Sequence, residues 1–186
     1  MPLNIGGGDA KPYVSFKIND LAWFKSSREG GNEKFDFDQP ALFDVQNLVM
    51  GWLKIDKLGR DWQPWPDVKT RPEAPSGEHR IGFQIDVTSN KMFGDEPTRQ
   101  YSENTFGNLQ FIAALYDACE VADEFKEGKN PLVKITGAEQ EKYGIGKTAI
   151  PQFEITGWKG VGEAPASKAK PEPKPEPAPA ADDDEF

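Results

Sequence analysis

Trp52, Trp62 and Trp65 fall within one short stretch, and Lys54, Lys57, Arg60, Lys69 and Arg71 are interleaved with them or follow closely. Flat rings accept stacked bases of any sequence, and cationic side chains hold the phosphates between them. Trp52 sits in an alternating run, on the parity opposite to Val49, Leu53 and Ile55. It is therefore expected to stand outward beside Lys54. The competing reading makes the tryptophans a small core that folds down the proline-rich loop after the run, and this suits Trp62 best. Arg80 and Gln84 take the outward parity of the next alternating run. The candidate nucleic-acid-binding set is Trp52, Lys54, Arg60, Trp62, Trp65, Arg80, Gln84, Lys91, Phe93 and Lys147.

Other reactive patterns are thinner. Gly144-Ile145-Gly146-Lys147-Thr148 repeats the end of a phosphate-binding loop, but the full motif needs glycine at 141, where Glu stands, and a helix afterwards, where Pro151 stands. A glycine hairpin between two strands is the better reading, with Lys147 in reach of a phosphate. Asp36 and Asp38 are spaced to share a cation, yet the chain has one histidine, His79, and one cysteine, Cys119, so no Cys/His metal cluster is expected. Cys119 falls mid-helix and is expected to be packed. No catalytic residue and no cofactor is assigned.

The end of the chain carries a separate signal. From Ala164 to Ala181 only Ala, Pro, Lys, Glu and one Ser occur, with proline at 171, 173, 175, 177 and 179. Alternating prolines forbid helix and sheet, so this segment is expected to be a solvated, extended linker. It ends in Asp182-Asp183-Asp184-Glu185-Phe186. A solvating tail is the plainer reading but would not need a terminal aromatic, whereas a partner pocket with a basic rim would hold the acids and the ring together. The expected organisation is a body over residues 1–163 and a disordered linker with an interaction tip over residues 164–186.

The elements that must position these residues read as strands around one helix. Val14, Phe16 and Ile18 alternate within residues 13–18, and the pattern resumes weakly over residues 21–25. Further strands are expected over residues 47–56, 80–88, 132–136 and 152–158, and Gly30-Gly31-Asn32 marks a turn. Residues 106–126 read as the one helix, with Leu109, Ile112, Ala113, Tyr116 and Val121 on its packed face and Asn104 or Thr105 as cap. The string β-β-β-α-β-β is mainly β with one helix, the order of an oligonucleotide-binding (OB) barrel. Another small β-barrel or an α+β sandwich would give the same string.

Composition narrows the setting. Twelve Phe, five Trp and four Tyr provide for a core. No apolar run is long enough to span a bilayer and no signal peptide is evident at the start, so a reducing cytoplasm and no membrane are expected. The net charge is −9. Residues 163–186 hold seven acids against three lysines, a net of −4, which leaves −5 on the body. Because fields act over about 8–10 Å, a mildly acidic body can still carry one basic face.

Acidic tip, proline-rich linker and OB-like body together resemble the single-stranded DNA-binding proteins of bacteria and phages. Bacterial members end in an acid run and Pro-Phe. Glu185 stands before Phe186 here, as in phage versions, and Gly51-Trp52-Leu53-Lys54 and Pro151-Gln152-Phe153-Glu154-Ile155-Thr156-Gly157-Trp158 are similar to a phage-encoded family. The resemblance implies sequence-nonspecific binding of single-stranded DNA in replication and recombination. It also implies recruitment of replication or repair proteins through the tip, with no catalysis and no metal. A protein-interaction module with a tethering tail, or a nuclease-type DNA-processing enzyme, are the alternatives.

Overall fold

The computed structural model describes residues 11–160, apart from 28, 58 and 145. The expected boundary near residue 163, the linker and the tip Asp182–Phe186 lie outside the described residues.

Ten strands and three helices follow one another along the chain. They are β1 (Tyr13–Lys17), β2 (Ala22–Ser26), β3 (Asn32–Phe35), β4 (Ala41–Phe43), β5 (Val49–Asp56), β6 (Gly59–Pro64), β7 (Arg80–Thr88), α1 (Asn90–Phe93), β8 (Thr98–Glu103), α2 (Phe106–Glu120), α3 (Asp123–Lys126), β9 (Asn130–Tyr143) and β10 (Gly146–Lys159). The fold is mainly β, and its sheet is curled into a half-barrel. The strand order is β10-β9-β4-β7-β8-β1-β2-β3. β4 and β5 lie end to end along β7, joined by a turn of 3-10 helix at Val45–Asn47, and β6 extends the sheet beyond β5. Each pairing is antiparallel except that of β1 with β8.

β7 is the axis of the sheet. Its odd positions Phe83, Ile85 and Val87 are at most 2% exposed, and its even positions face the other way. Val14 and Phe16 of β1, Trp23 of β2, Phe43 of β4 and Tyr101 of β8 join the same core, and α2 closes it with Phe111, Ile112, Leu115 and Cys119. The tie between helix and sheet is polar. The Tyr101 hydroxyl donates to the Asn108 side-chain carbonyl at 2.6 Å, and the Asn108 amide donates to the Phe16 carbonyl at 3.1 Å, with all three residues buried. A buried amide satisfied on both ends fixes orientation where apolar packing alone would let the helix slide.

Four strands escaped the sequence pattern. β4 and β3 are too short to show a period, and β6 and β8 carry polar residues on both faces. The residue 47–56 strand begins at Val49, because Asn47 belongs to the 3-10 turn. The long helix also differs from its expectation. It stops at Glu120, the chain turns at Val121 and Ala122, and α3 follows. Val121, expected on the packed face, is 78% exposed. The face that packs is Phe111, Ile112, Leu115 and Cys119, with the small residues Gly107 and Asn108 where α2 meets the sheet. Thr105 is the N-cap position, but its hydroxyl accepts from the Asn108 amide and caps no backbone N–H.

Gly107 is small by necessity. A Cβ there would overlap the backbone carbonyl of Ala149 on β10, which cannot move away as a side-chain tip can. Gly107→Ala is expected to destabilise the protein by about 3 kcal/mol, the scale of core overpacking. Urea denaturation at constant m-value is the measurement.

Candidate nucleic-acid interface

The even positions of β7 open the face away from the core, and register shows what shares it. Gln84 pairs with Ser102 of β8 and with Val49 of β5, Gly82 pairs with Gly51, and Arg80 pairs with Leu53. Leu53 in turn pairs with Trp62 of β6, and Ile55 with Arg60. Side chains of directly paired residues stand on one face. Trp62, Arg60, Arg80 and Gln84 therefore lie together on the outer face.

The Trp62 indole is seated on a cross-strand glycine pair. A Cβ on Gly51 would stand 2.6 Å from two atoms of its six-membered ring, and a Cβ on Gly82 would stand 3.3 Å from a third. Any side chain at Gly51 would lift the ring. Two adjacent glycines make a bare patch of backbone, and the indole fills it while covering Leu53, which is 1% exposed. Trp62 itself remains half-buried, reachable from solvent. Beside it, the Arg60 guanidinium donates to Ser102 Oγ of β8 at 3.1 Å, and Arg80 donates to the Gly77 carbonyl at 3.2 Å.

The charge of this face differs from that of the chain. Among the described residues, the outer positions of β1, β2, β3, β5, β6, β7 and β8 carry four cations, Lys17, Lys34, Arg60 and Arg80, and one acid, Asp86. Asp86 is held by Lys11 at 2.9 Å. A positive surface thus exists on a body of net −5, within the range over which fields act at moderate salt.

Trp52 does not stand on it. Its neighbour across β7 is Ile81, on the core-side parity, and it is 4% exposed. Trp65 packs edge-on against it at 5.6 Å, and the Arg71 guanidinium lies 4.9 Å over its ring. The expectation of an outward Trp52 fails for a physical reason. Its parity does oppose Leu53, but the loop after β6 folds back and buries that parity too, so both faces of β5 are covered there. Lys54 shares the face with Trp52 and is held by Glu78 at 2.5 Å and Asp56 at 3.4 Å. The Glu78 contact raises its pKa above the ordinary lysine value. Trp65 belongs to the same minicore. Trp62 thus lies on the open face, and Trp52, expected outward, lies beneath the loop.

Three further candidates are set apart. Phe93 is a core residue, 5% exposed beneath the Arg99 guanidinium. Lys91 is exposed on α1, beyond the far end of β7 from Arg80, about 30 Å away at the rise of a nine-residue strand. Lys147 is exposed on the β9–β10 hairpin, paired with Lys142, on strands that join the outer face only through β4. Cys119 is buried as expected, and burial pushes its thiol up to about 12.

Two groups had no separate signal in the sequence. His79, 7% exposed, bridges Ser76 Oγ at 2.8 Å and Asp61 Oδ2 at 3.0 Å. This chain ties the end of the loop to β6 and so holds the cover over Trp52. Between α2 and that loop lies an apolar cavity of about 420 Å³, walled by Met50, Trp65, Val68, Ile81, Leu109 and Tyr116.

Glu103 ends β8 near Arg60 and Lys17. Burial pushes its carboxyl up to about 7, against the pull of both cations. The unfolded chain loses this proton near 4.5 and the folded chain near 7, so the folded state binds more protons in between. Stability falls as pH rises through that window and is level above it.

No known family, curated protein or solved structure matches the chain.

Two outcomes follow from these placements. Trp52→Ala should cost about 3–5 kcal/mol of folding stability, the scale of emptying a large aromatic site, read by chemical denaturation. Glu103→Gln should leave the Tm unchanged near pH 4.5 and raise it at pH 8, flattening the Tm–pH curve between them.

Proposed function

We propose that the protein binds single-stranded DNA without sequence preference, through the outer face around Trp62, as an accessory of DNA replication and recombination. The observation that carries this reading is the half-exposed indole on the Gly51–Gly82 pair, with Arg60 beside it, on a face whose surplus charge is positive in an acidic protein. A ring fixed on backbone gives any base a rigid stacking surface. The curled sheet with a helix packed into it is compatible with an OB-type barrel, in which the face of the central strands takes the ligand. The chain's resemblance to phage single-stranded DNA-binding proteins supports the same reading. On this reading Arg80 and Gln84 contribute to the face, Asp182, Asp183, Asp184, Glu185 and Phe186 recruit replication or repair proteins, and the protein acts without catalysis, in the cytoplasm of the cell.

Binding of oligo-dT, followed by tryptophan fluorescence and by anisotropy of a labelled strand, tests it. Trp62→Leu keeps an apolar cover over Leu53 and removes the ring. It should cost about 1–3 kcal/mol of binding at little cost in stability. Affinity of the parent protein should fall as salt rises, with a slope of about −0.7 per phosphate contact. Equal affinity for duplex and single strand, or an unchanged affinity in Trp62→Leu, would overturn the proposal.

A further inference from the structure

The outer face continues past β8, and it carries a second aromatic. Ser102 of β8 occupies the position next to Ser15 of β1, since Tyr13 and Val14 sit beside Gln100 and Tyr101 in parallel register. Ser15 pairs with Phe24 of β2, and Phe24 pairs with Lys34 of β3. The outer row therefore runs Lys34, Phe24, Ser15, Ser102, Gln84, Val49. It crosses every strand from β3 to β5 without meeting an acid. Phe24 is half-buried, and the Lys17 ammonium lies 4.5 Å from its ring centroid.

Phe24 with Lys17 thus repeats, in other residues, what Trp62 with Arg60 presents. The two pairs are joined. Arg60 reaches Ser102, and both Arg60 and Lys17 act on the carboxyl of Glu103, the residue after Ser102. Two aromatics and three cations follow one another along one path: Trp62, Arg60, Lys17, Phe24, Lys34. The Trp62 ring lies over Gly51 of β5, and from there to Phe24 on β2 the path crosses β7, β8 and β1, four strand spacings of about 4.8 Å, or roughly 19 Å of arc. At about 3.4 Å per stacked nucleotide that is about six nucleotides, fewer for a stretched strand, and within the span of one OB-type site.

We infer that Phe24 and Lys17 form a second stacking station, and that a single strand of DNA lies across the β-strands from Trp62 to Phe24, with its phosphates on Arg60, Lys17 and Lys34. This inference rests on the proposed single-strand function and adds the path of the strand. The stations differ in rank. Trp62 has the larger ring and two arginines nearby, so a short strand settles there first, and only a longer strand reaches Phe24.

The test is a length series of oligo-dT, about 4, 8 and 16 nucleotides, spanning the range of one site. It is titrated against the full chain and against Trp62→Leu, Phe24→Leu and Lys17→Gln. Trp62→Leu should weaken all three lengths. Phe24→Leu should weaken the two longer strands about tenfold, the scale of one lost stacking contact, and leave the shortest unchanged. Lys17→Gln, at an exposed position, should weaken only the longer strands and lower their salt slope by about 0.7. It reads the same station even where Phe24→Leu misfolds. If Trp62→Leu weakens binding while Phe24→Leu and Lys17→Gln match the parent at every length, the second station is wrong and the single-strand function stands. If the parent binds none of the strands at low salt, the function itself is wrong.

Discussion

β7 is paired along its whole length, with β4 and β5 on one side and β8 on the other, and its strict two-residue period divides the molecule. Phe83, Ile85 and Val87 must go to the core, so Arg80, Gly82, Gln84 and Asp86 must go outside. A slip of one residue would place these three apolar positions in water and bury an aspartate. Because every neighbour of β7 inherits this division through register, the outer face is a consequence of the core. The side chains that could meet a ligand need no elements of their own. They are what is left when the apolar parity has been used.

The core also explains why the outer face can be sparse. A sheet that must bury Trp23, Phe43, Phe83 and Tyr101 on one side, and that takes α2 into its curl, has its stability secured from within. Tyr101, Asn108 and the Phe16 carbonyl then set the helix against β1 and β8, the one parallel pair. With that orientation held by buried hydrogen bonds, the opposite side tolerates Gly51 and Gly82, which contribute little to strand stability themselves. The Trp62 indole takes the place of the two missing side chains. It stabilises the patch by covering Leu53 and still presents surface to solvent.

The edges of the sheet follow the same economy. Among the described residues β10 is long and pairs with β9 alone, which leaves a row of backbone groups open to pairing with another chain. Pro151 removes one N–H within it, and shifts of register after Gln152 and after Ile155 bend it. Both devices blunt an edge that a plain alternating strand would leave adhesive.

Residue order alone determined the elements whose period is long and one-sided. β1, β7 and the first turns of α2 were legible because Val14 and Phe16, Phe83 to Val87, and Ile112 with its neighbours each report burial on one side. β3, β4, β6 and β8 were not, since short strands and strands polar on both faces carry no period. For the site, composition and spacing placed tryptophans and cations in one region, and that region does contain the face proposed for binding. Which tryptophan stands open was beyond them. Parity says which residues share a side, but it cannot say what later folds over that side. The loop pinned by Asp61, His79 and Ser76 covers Trp52, and the glycine pair across β5 and β7 seats Trp62. Phe24 and Lys17 came to the same surface only through the pairing of β2 with β1 and of β1 with β8. Such juxtapositions rest on contacts between residues distant in the chain, and a local pattern holds no record of them.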